Sequence, residues 1–165
     1  MQDIEHILFD LDGTLISSYM DSAARDFHSW HVLPGRIEKI VQLRSRGVGI
    51  SIVTNQAAVA FGYNTVGDVT TKLILVAQTL GFAEMDIYDG ADAPRHHGAT
   101  RNNGGLLSAH VAYRRKPSPA MLREALAVHG VNSIRALFVG DRPEDEQAAR
   151  NAGVRFAWAD AFFGA

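Results

Sequence analysis

Short apolar runs alternate along the sequence with amphipathic segments that end at a glycine, and this alternation constrains the fold more than any other feature. The amphipathic segments span residues 34–47, 65–81, 118–130 and 144–153. In most of them apolar side chains recur at three- and four-residue steps, and the final glycine suits the left-handed turn that ends a helix. The intervening runs are rich in β-branched residues, as are parallel strands covered on both faces. The pattern predicts an α/β fold: a single doubly wound, mainly parallel sheet with helices on both faces.

Length and composition indicate one ordinary globular domain. The chain has 165 residues and shows no linker, so we predict a single domain over residues 1–165. Lys and Arg number 16 against 18 Asp and Glu, a net charge of −2, which gives no overall basic field to attract nucleic acid and no polybasic arm for membranes. No apolar run approaches the roughly 20 residues of a membrane span, and the N-terminus does not resemble a signal peptide. We expect a cytoplasmic protein, a monomer or weak homodimer, without a membrane partner and with nucleic acid disfavoured as a partner.

Polar residues gather where the predicted strands end. Ligands of open α/β sheets bind at the carboxyl ends of the strands, so side chains at these positions are candidates for a site. The candidates are Asp10 and Asp12 in "ILFDLDGTLI", Thr54, Asn55 and Gln56 in "IVTNQ", Asp141 and Asp145 in "VGDRPED", and Arg115 and Lys116 before "PSP". Each also has a structural interpretation, as a turn, a helix cap or a solvated loop residue. Taken together, the residues outline a site for phosphate and a metal ion.

The spacing of the first two aspartates suits phosphoryl chemistry. Asp10 and Asp12 are two residues apart, so on an extended chain both side chains point to the same side. A carboxylate that attacks a phosphate monoester is repelled by like charge, and a divalent cation is needed to screen that repulsion. Asp141 is the natural further ligand of the cation, while Lys116 and Thr54 can bind the phosphoryl oxygens.

The four segments "FDLDGTL", "IVTNQ", "RRKPSP" and "VGDRPED" resemble the four ordered motifs of the haloacid dehalogenase (HAD) superfamily of phosphotransferases. The resemblance extends from Ile7 to about Ala149. It implies that Asp10 is the nucleophile, that Asp12 is the general acid and base, and that Thr54 and Lys116 hold the phosphoryl group. The implied cofactor is Mg²⁺, and the residues implied at the metal are Asp10, Asp12 through its main-chain carbonyl, Asp141 and Asp145, the last orienting the site.

Within the superfamily the chain looks like a member without a large cap, similar to the histidinol-phosphate and heptose-bisphosphate phosphatase group. This similarity implies a small phosphomonoester substrate, a sugar phosphate or an amino-alcohol phosphate, with Arg115, Asn55 and Gln56 as substrate-binding residues. Many members of that group bind structural zinc through cysteines, whereas this sequence has none. Polynucleotide 3′-phosphatase activity is an alternative, and a phosphate-binding regulatory protein on the same fold is a non-enzymatic one.

One segment departs from the alternating pattern. Residues 90–110 are polar, rich in glycine and aperiodic, which is typical of a long functional or mobile loop. Arg95 and Arg101 in this loop are candidates for a second anionic contact. We interpret His96 and His97 as solvent-exposed rather than as metal ligands.

Overall fold

The computed structural model describes residues 3–18, 28–56, 65–81, 87–89 and 115–164. The predicted loop of residues 90–110, with its arginines and histidines, lies outside the described residues. Among the described residues, no helix combines the length and the apolar character needed to cross a membrane.

In the part of the chain that the structure describes, the sheet has five strands, each parallel to its neighbours. The strands are β1 (His6–Phe9), β2 (Gly49–Thr54), β3 (Ile87–Asp89), β4 (Ala136–Gly140) and β5 (Arg155–Trp158). Their order across the sheet is β3-β2-β1-β4-β5, so the chain winds outwards from β1 in both directions. This topology places the carboxyl ends of β1, β2 and β4 side by side, and the predicted doubly wound fold is confirmed.

The described residues include five helices, of which the sequence pattern predicted the first four; the short fifth helix, after β5, was not predicted. They are α1 (Arg36–Ser45), α2 (Val66–Leu80), α3 (Ala120–His129), α4 (Pro143–Ala152) and α5 (Ala159–Phe163). Glycines with positive φ follow α2, α3 and α4, and their N–H groups donate to carbonyl groups of the last turn. A short 3₁₀ turn, Ser133–Arg135, leads into β4.

The alternation of side chains along the strands divides the core into two layers. Ile7 and Phe9 of β1 pack on the face covered by α1, α2 and α5. Leu8 of the same strand packs on the opposite face, against α3 and α4. Successive side chains of a strand point to opposite sides of the sheet, so both faces of β1 are covered by helices and shielded from water. This packing fixes the strand end that carries Asp10.

Helix α1 differs from its sequence pattern in detail. The segment starts with Pro34, but Gly35 adopts a left-handed conformation with φ of 77° and the helix begins at Arg36. The apolar residues Ile37 and Val41 are 41% and 58% exposed. Arg36, in contrast, is buried because it binds the chain that follows β1, as described below.

Candidate active site

The predicted site residues meet at the carboxyl edge of the sheet. Asp10 and Asp12 follow β1, Thr54 ends β2, and Asp141 follows β4. Lys116 reaches the same place from the segment before α3. The strand order explains the convergence, since β1 lies between β2 and β4.

Lys116 is the centre of the site. Its ammonium group lies 2.7 Å from Oδ1 of Asp10 and 2.6 Å from Oδ1 of Asp145, and it donates to the carbonyl oxygen of Val53 at 3.0 Å. The residue is only 2% exposed. A buried ammonium is tolerated only when it is paired and its donors are satisfied, and here its three N–H donors match three acceptors. The pKa of Lys116 is lowered by burial, but the charges of Asp10 and Asp145 outweigh this and raise it overall.

Asn55 holds the backbone of Lys116. Its Oδ1 accepts from the Lys116 N–H at 2.9 Å, and its Nδ2 donates to the Lys116 carbonyl at 3.1 Å. The amide thus makes a hydrogen bond from each end to one residue, which fixes where the lysine side chain starts. Asn55 was predicted to bind substrate, and its observed contacts are those of a residue that positions Lys116.

Asp145, in the first turn of α4, accepts hydrogen bonds from three groups around the site. Its Oδ2 accepts from the N–H groups of Asp141 and Arg142, both at 3.1 Å, while Oδ1 accepts from Lys116. The residue is 2% exposed. A Cβ on Gly140 would lie 2.5 Å from Oδ2 of Asp145, so the last residue of β4 must be small. Asp145 thereby links the end of β4 to Lys116.

The carboxylates of Asp10, Asp141 and Asp145 fit a divalent cation. Each offers an oxygen, and these oxygens all lie within 4.8 Å of one another. With Lys116 between two of them, the group carries an excess of negative charge, and oxygen ligands of this kind suit Mg²⁺. Asp145 already accepts three hydrogen bonds, so the oxygens of Asp10 and Asp141 are better placed as direct ligands.

The turn after β1 brings Asp10 close to Asp141. Gly13 has φ of 84°, and a Cβ on it would lie 2.2 Å from Oδ2 of Asp141, so a larger residue would collide with that carboxylate. The hydroxyl of Thr14 lies 3.3 Å from Oδ2 of Asp10 and 3.4 Å from Oδ1 of Asp141. The Nε of Arg36 donates to the Thr14 carbonyl at 2.9 Å and fixes the turn from α1.

The nucleophile candidate is deeply buried. Asp10 is 7% exposed, and burial raises the pKa of its carboxyl to about 8. Lys116 opposes this increase, whereas the carboxylates of Asp145 and Asp141 add to it. A divalent cation beside Asp10 would favour the ionised form, which is the form that can attack phosphorus.

Asp12 has different partners from Asp10. Gln56 donates from Nε2 to Oδ2 of Asp12 at 3.0 Å and to the Thr54 hydroxyl oxygen at 2.8 Å. Lys72 donates to the other oxygen, Oδ1, at 2.8 Å. A hydroxyl that accepts one bond still has its own proton to donate, so Thr54 retains a donor for a phosphoryl oxygen.

The sequence patterns did not single out Lys72, Thr14 or Arg36. Lys72 lies on α2 three residues after Val69 and four before Val76, both of which face the core. The sequence signal that could have identified Lys72 was its position on the core-facing side of a helix, because lysine is almost never fully buried unless it is paired. Thr14 belongs to the "DGT" of the first motif, but the spacing alone did not predict its contact with Asp141.

Arg115 is half-buried beside the site. Burial lowers the pKa of its guanidinium group, the nearby Glu144 raises it, and Arg142 lowers it further. Arg115 and Arg142 therefore lie close enough for their charges to interact. Two neighbouring positive charges suit an anionic part of a substrate.

The family comparison matches residues 5–164 to the model of the polynucleotide kinase 3 phosphatase family. Among similar proteins, the D-glycero-beta-D-manno-heptose-1,7-bisphosphate 7-phosphatase of Rhodopseudomonas palustris is 28% identical over 145 residues, covering 88% of this chain and 77% of that protein. The protein of the same name from Escherichia coli is 27% identical over 154 residues, with 93% and 77% covered.

Solved structures show the same relationship. A D,D-heptose 1,7-bisphosphate phosphatase from B. bronchiseptica, complexed with magnesium and phosphate, superposes with a TM-score of 0.68 and 26% identity, covering 93% of this chain and 79% of that one. A HAD-like phosphatase from Mesorhizobium loti gives a TM-score of 0.68 with 25% identity over 92% of this chain and 69% of that one. The chain is therefore a phosphatase of the HAD superfamily, similar to the heptose-bisphosphate phosphatase group, and it belongs to the polynucleotide kinase 3 phosphatase family.

Proposed function

We propose that this phosphatase is a Mg²⁺-dependent phosphomonoesterase that acts through an aspartyl-phosphate on a small phosphorylated metabolite, a sugar phosphate or an amino-alcohol phosphate. The observation that carries the proposal is the buried position of Lys116 between Asp10 and Asp145, beside the carboxylate of Asp141. This arrangement combines a nucleophile, a phosphoryl-binding cation and a metal-binding pair in one place.

The first step transfers the phosphoryl group to the enzyme. A carboxylate oxygen of Asp10 attacks phosphorus, and the bond from phosphorus to the leaving oxygen breaks. Asp12 gives a proton to that oxygen, so the product leaves as an alcohol. The Thr54 hydroxyl donates to a phosphoryl oxygen, and the positive charge of Lys116 beside Asp10 stabilises the negative charge that develops on the phosphoryl oxygens.

The second step restores the enzyme. A water molecule attacks the phosphorus of the aspartyl-phosphate, Asp12 takes the proton of the water, and the bond between phosphorus and the Asp10 oxygen breaks. Inorganic phosphate leaves, and Asp10 is again a carboxylate. One residue serves as acid and then as base, so the proton balance closes within each turnover.

The residues that would hold Mg²⁺ are Asp10 and Asp141 through their carboxylates and Asp12 through its main-chain carbonyl, with Asp145 orienting them. The bound ion would screen the repulsion between Asp10 and the phosphate. Thr14 supports this assignment, because its hydroxyl lies against both proposed carboxylate ligands.

Two observations favour a small metabolite as the substrate. The similar proteins named above are heptose-bisphosphate phosphatases, and the net charge of −2 provides no overall attraction for a polyanion. We propose that Arg115, which is half-buried and close to Arg142, contacts the substrate beyond the phosphate that reacts. We further propose that residues 1–165 form a single domain without a large cap.

Polynucleotide 3′-phosphatase activity is the second candidate, and the name of the matched family is the observation that favours it. A nucleic-acid substrate requires contacts to several phosphates, and its binding weakens steeply as salt rises. Rates on small substrates that do not depend on salt, with no activity on 3′-phosphorylated oligonucleotides, would exclude this candidate.

A substrate panel with Mg²⁺ tests both proposals. The panel contains sugar phosphates, amino-alcohol phosphates, nucleoside monophosphates and a 3′-phosphorylated oligonucleotide, and phosphate release is measured with Asp10→Asn as the blank. We expect the highest kcat/KM on a sugar or amino-alcohol phosphate. Equal and low rates on every small substrate, with high activity on the oligonucleotide, would reverse the order of the two candidates.

A further inference from the structure

Lys72 is a fully buried lysine that the proposed reaction does not use directly. Its side chain is 0% exposed, and its ammonium group lies 2.8 Å from Oδ1 of Asp12. The residue is on α2, a helix that packs against the sheet through Val69 and Val76. The ammonium group therefore contacts Asp12 from within the protein, where solvent does not reach it.

A lysine at this position calls for a physical reason. Removing an ammonium group from water is costly, and replacing a buried ion pair by apolar side chains is often neutral or stabilising. An apolar residue at position 72 would extend the inward face of α2 without that cost. Stability of the fold is thus a weak explanation for this residue.

The distribution of lysine in the chain strengthens the point. The sequence has lysine at positions 39, 72 and 116 only. Lys116 is buried against Asp10, and Lys72 is buried against Asp12. Each aspartate of the first motif thus pairs with a buried lysine, although most of the basic residues in the chain are arginines.

Lys72 and Gln56 together hold Asp12 at both oxygens. Lys72 donates to Oδ1, and Gln56 donates to Oδ2 at 3.0 Å. Two donors on different oxygens fix the plane of a carboxylate, and each oxygen keeps a further lone pair for a proton in transit. The Asp12 side chain is 21% exposed, so it can reach the substrate side, whereas Lys72 cannot.

We infer that Lys72 is a positioning residue for Asp12, and that it sets the orientation in which this carboxylate exchanges protons with the leaving group and with water. The inference rests on the proposed function, in which Asp12 is the acid and base. Proton transfer depends steeply on geometry, and a displacement of about 1 Å can cost roughly a hundredfold in rate. Lys72 contacts the carboxylate of Asp12, and it acts on the reaction through that carboxylate.

The test compares Lys72→Met with the wild type and with Lys39→Met. Methionine is apolar and nearly the length of lysine, so it fills the buried space without donating to Asp12. Lys39→Met makes the same chemical change on α1, where the lysine lies over the Phe162 ring, and leaves the site untouched. Lys72→Arg keeps a cation near Asp12 and serves as the rescue variant.

Two measurements separate positioning from a general loss of structure. The first is the fraction of enzyme trapped as aspartyl-phosphate when a reaction with an aryl phosphate is quenched in acid. The second is the ratio of kcat/KM values for an alkyl phosphate, which needs a proton on its leaving oxygen, and the aryl phosphate, which needs one much less. A merely structural role would lower both rates alike and would trap no phospho-enzyme.

In Lys72→Met we expect hydrolysis of the aspartyl-phosphate to slow by about 10- to 100-fold, so that phospho-enzyme accumulates. The alkyl phosphate should lose several times more kcat/KM than the aryl phosphate, and Lys72→Arg should recover part of both effects. Lys39→Met should behave as the wild type. If Lys72→Met does not fold, Lys72→Gln takes its place, since its amide is shorter and uncharged, and the same two measurements decide.

Two results would overturn the inference: wild-type behaviour of the Lys72 variant, or an equal loss on both substrates without trapped phospho-enzyme. Failure of the proposed function gives a different signature. In that case the wild type itself forms no acid-stable phospho-enzyme, or Asp10→Asn retains activity.

Discussion

The two aspartates of the first motif stand beside two buried lysines whose surroundings differ. Lys116 lies between two buried carboxylates, those of Asp10 and Asp145, and donates to a main-chain carbonyl as well. Lys72 contacts the carboxylate of Asp12, whose side chain is 21% exposed. The contacts of Lys116 with Asp10 and Asp145 are enclosed by protein, whereas the contact of Lys72 with Asp12 involves a carboxylate that reaches solvent.

The difference suggests what each pair does. In the proposed mechanism Asp10 stays in one place to attack phosphorus, and its partners are Lys116 and Thr14, both fixed by further contacts. In the same mechanism Asp12 exchanges protons with two different molecules in turn, which requires access. A rigid nucleophile and an oriented but accessible acid and base would therefore lie only two residues apart.

The largest expected effects follow from removing the charge of each aspartate in turn. Asp10→Asn should reduce turnover by at least about a thousandfold and form no phospho-enzyme, because the amide keeps the shape and loses the nucleophile. Asp12→Asn should also be slow, but it should accumulate phospho-enzyme because the base that activates water is gone. Steady-state rates and acid-quench labelling measure both, and wild-type activity of Asp10→Asn would contradict the mechanism.

The next effect concerns stability and separates the two lysines directly. Lys116→Met should lower the free energy of unfolding by about 3–5 kcal/mol, because the buried carboxyl groups of Asp10 and Asp145 lose the ammonium group that donates to both. Lys72→Met should lower it by no more than about 1 kcal/mol, because Asp12 remains partly hydrated and apolar burial offsets the lost pair. Urea unfolding of the metal-free protein measures the loss for each variant, and equal losses would contradict the proposed difference between the two lysines.

A third effect concerns metal binding and pH. The pKa of Asp10 is raised to about 8, so below that pH the carboxyl retains a proton that Mg²⁺ must displace. Mg²⁺ affinity should thus rise from about pH 6 to about pH 9, with release of a proton at the lower pH values. Without metal, the contribution of Asp10 to stability should fall between pH 3.8 and about pH 8, because in that range the folded state keeps a proton that the unfolded chain has lost. Titration calorimetry in two buffers measures the released proton.

The two aspartates should respond differently in that titration. Lys72→Met should retain the proton release, whereas Asp10→Asn should lose it.

EDTA should abolish turnover, Mg²⁺ should restore it, and Ca²⁺ should not, because Ca²⁺ prefers a looser coordination. Full activity in EDTA would remove the metal from the proposed function.

The smallest effect concerns the second contact of Asp12. Gln56→Met removes one neutral donor from Asp12 and leaves Lys72 in place. The expected loss in kcat is about 5-fold, equivalent to roughly 1 kcal/mol for one hydrogen bond. Rates for Gln56→Met, Lys72→Met and the double variant measure their coupling. If the two losses are simply independent, Gln56 and Lys72 do not act on Asp12 as one unit.

Much of the site could be predicted because its elements are local in sequence. Asp10 and Asp12 share a side of the chain by their spacing, and Lys116 and Asp141 belong to motifs that occur in a fixed order. The positioning contacts of Asn55 were harder to predict, since an amide after a strand suits a substrate and a neighbouring backbone equally well. The contacts between Asn55 and Lys116 span 61 residues.

The sequence by itself determined the order of the strands and of the first four helices, the helices on both faces of the sheet and the strand ends that carry the carboxylates, because periodicity and spacing act between near neighbours. Only the tertiary structure decided which lysine meets which aspartate. Lys72 and Asp12 are 60 residues apart, and their contact depends on how α2 packs on the sheet. The start of α1 at Arg36 and the burial of that arginine also depend on packing, since its partner is the carbonyl of Thr14 on a distant turn. Such pairs form where packing brings a polar group beneath the site, and neither residue's sequence neighbours specify the other.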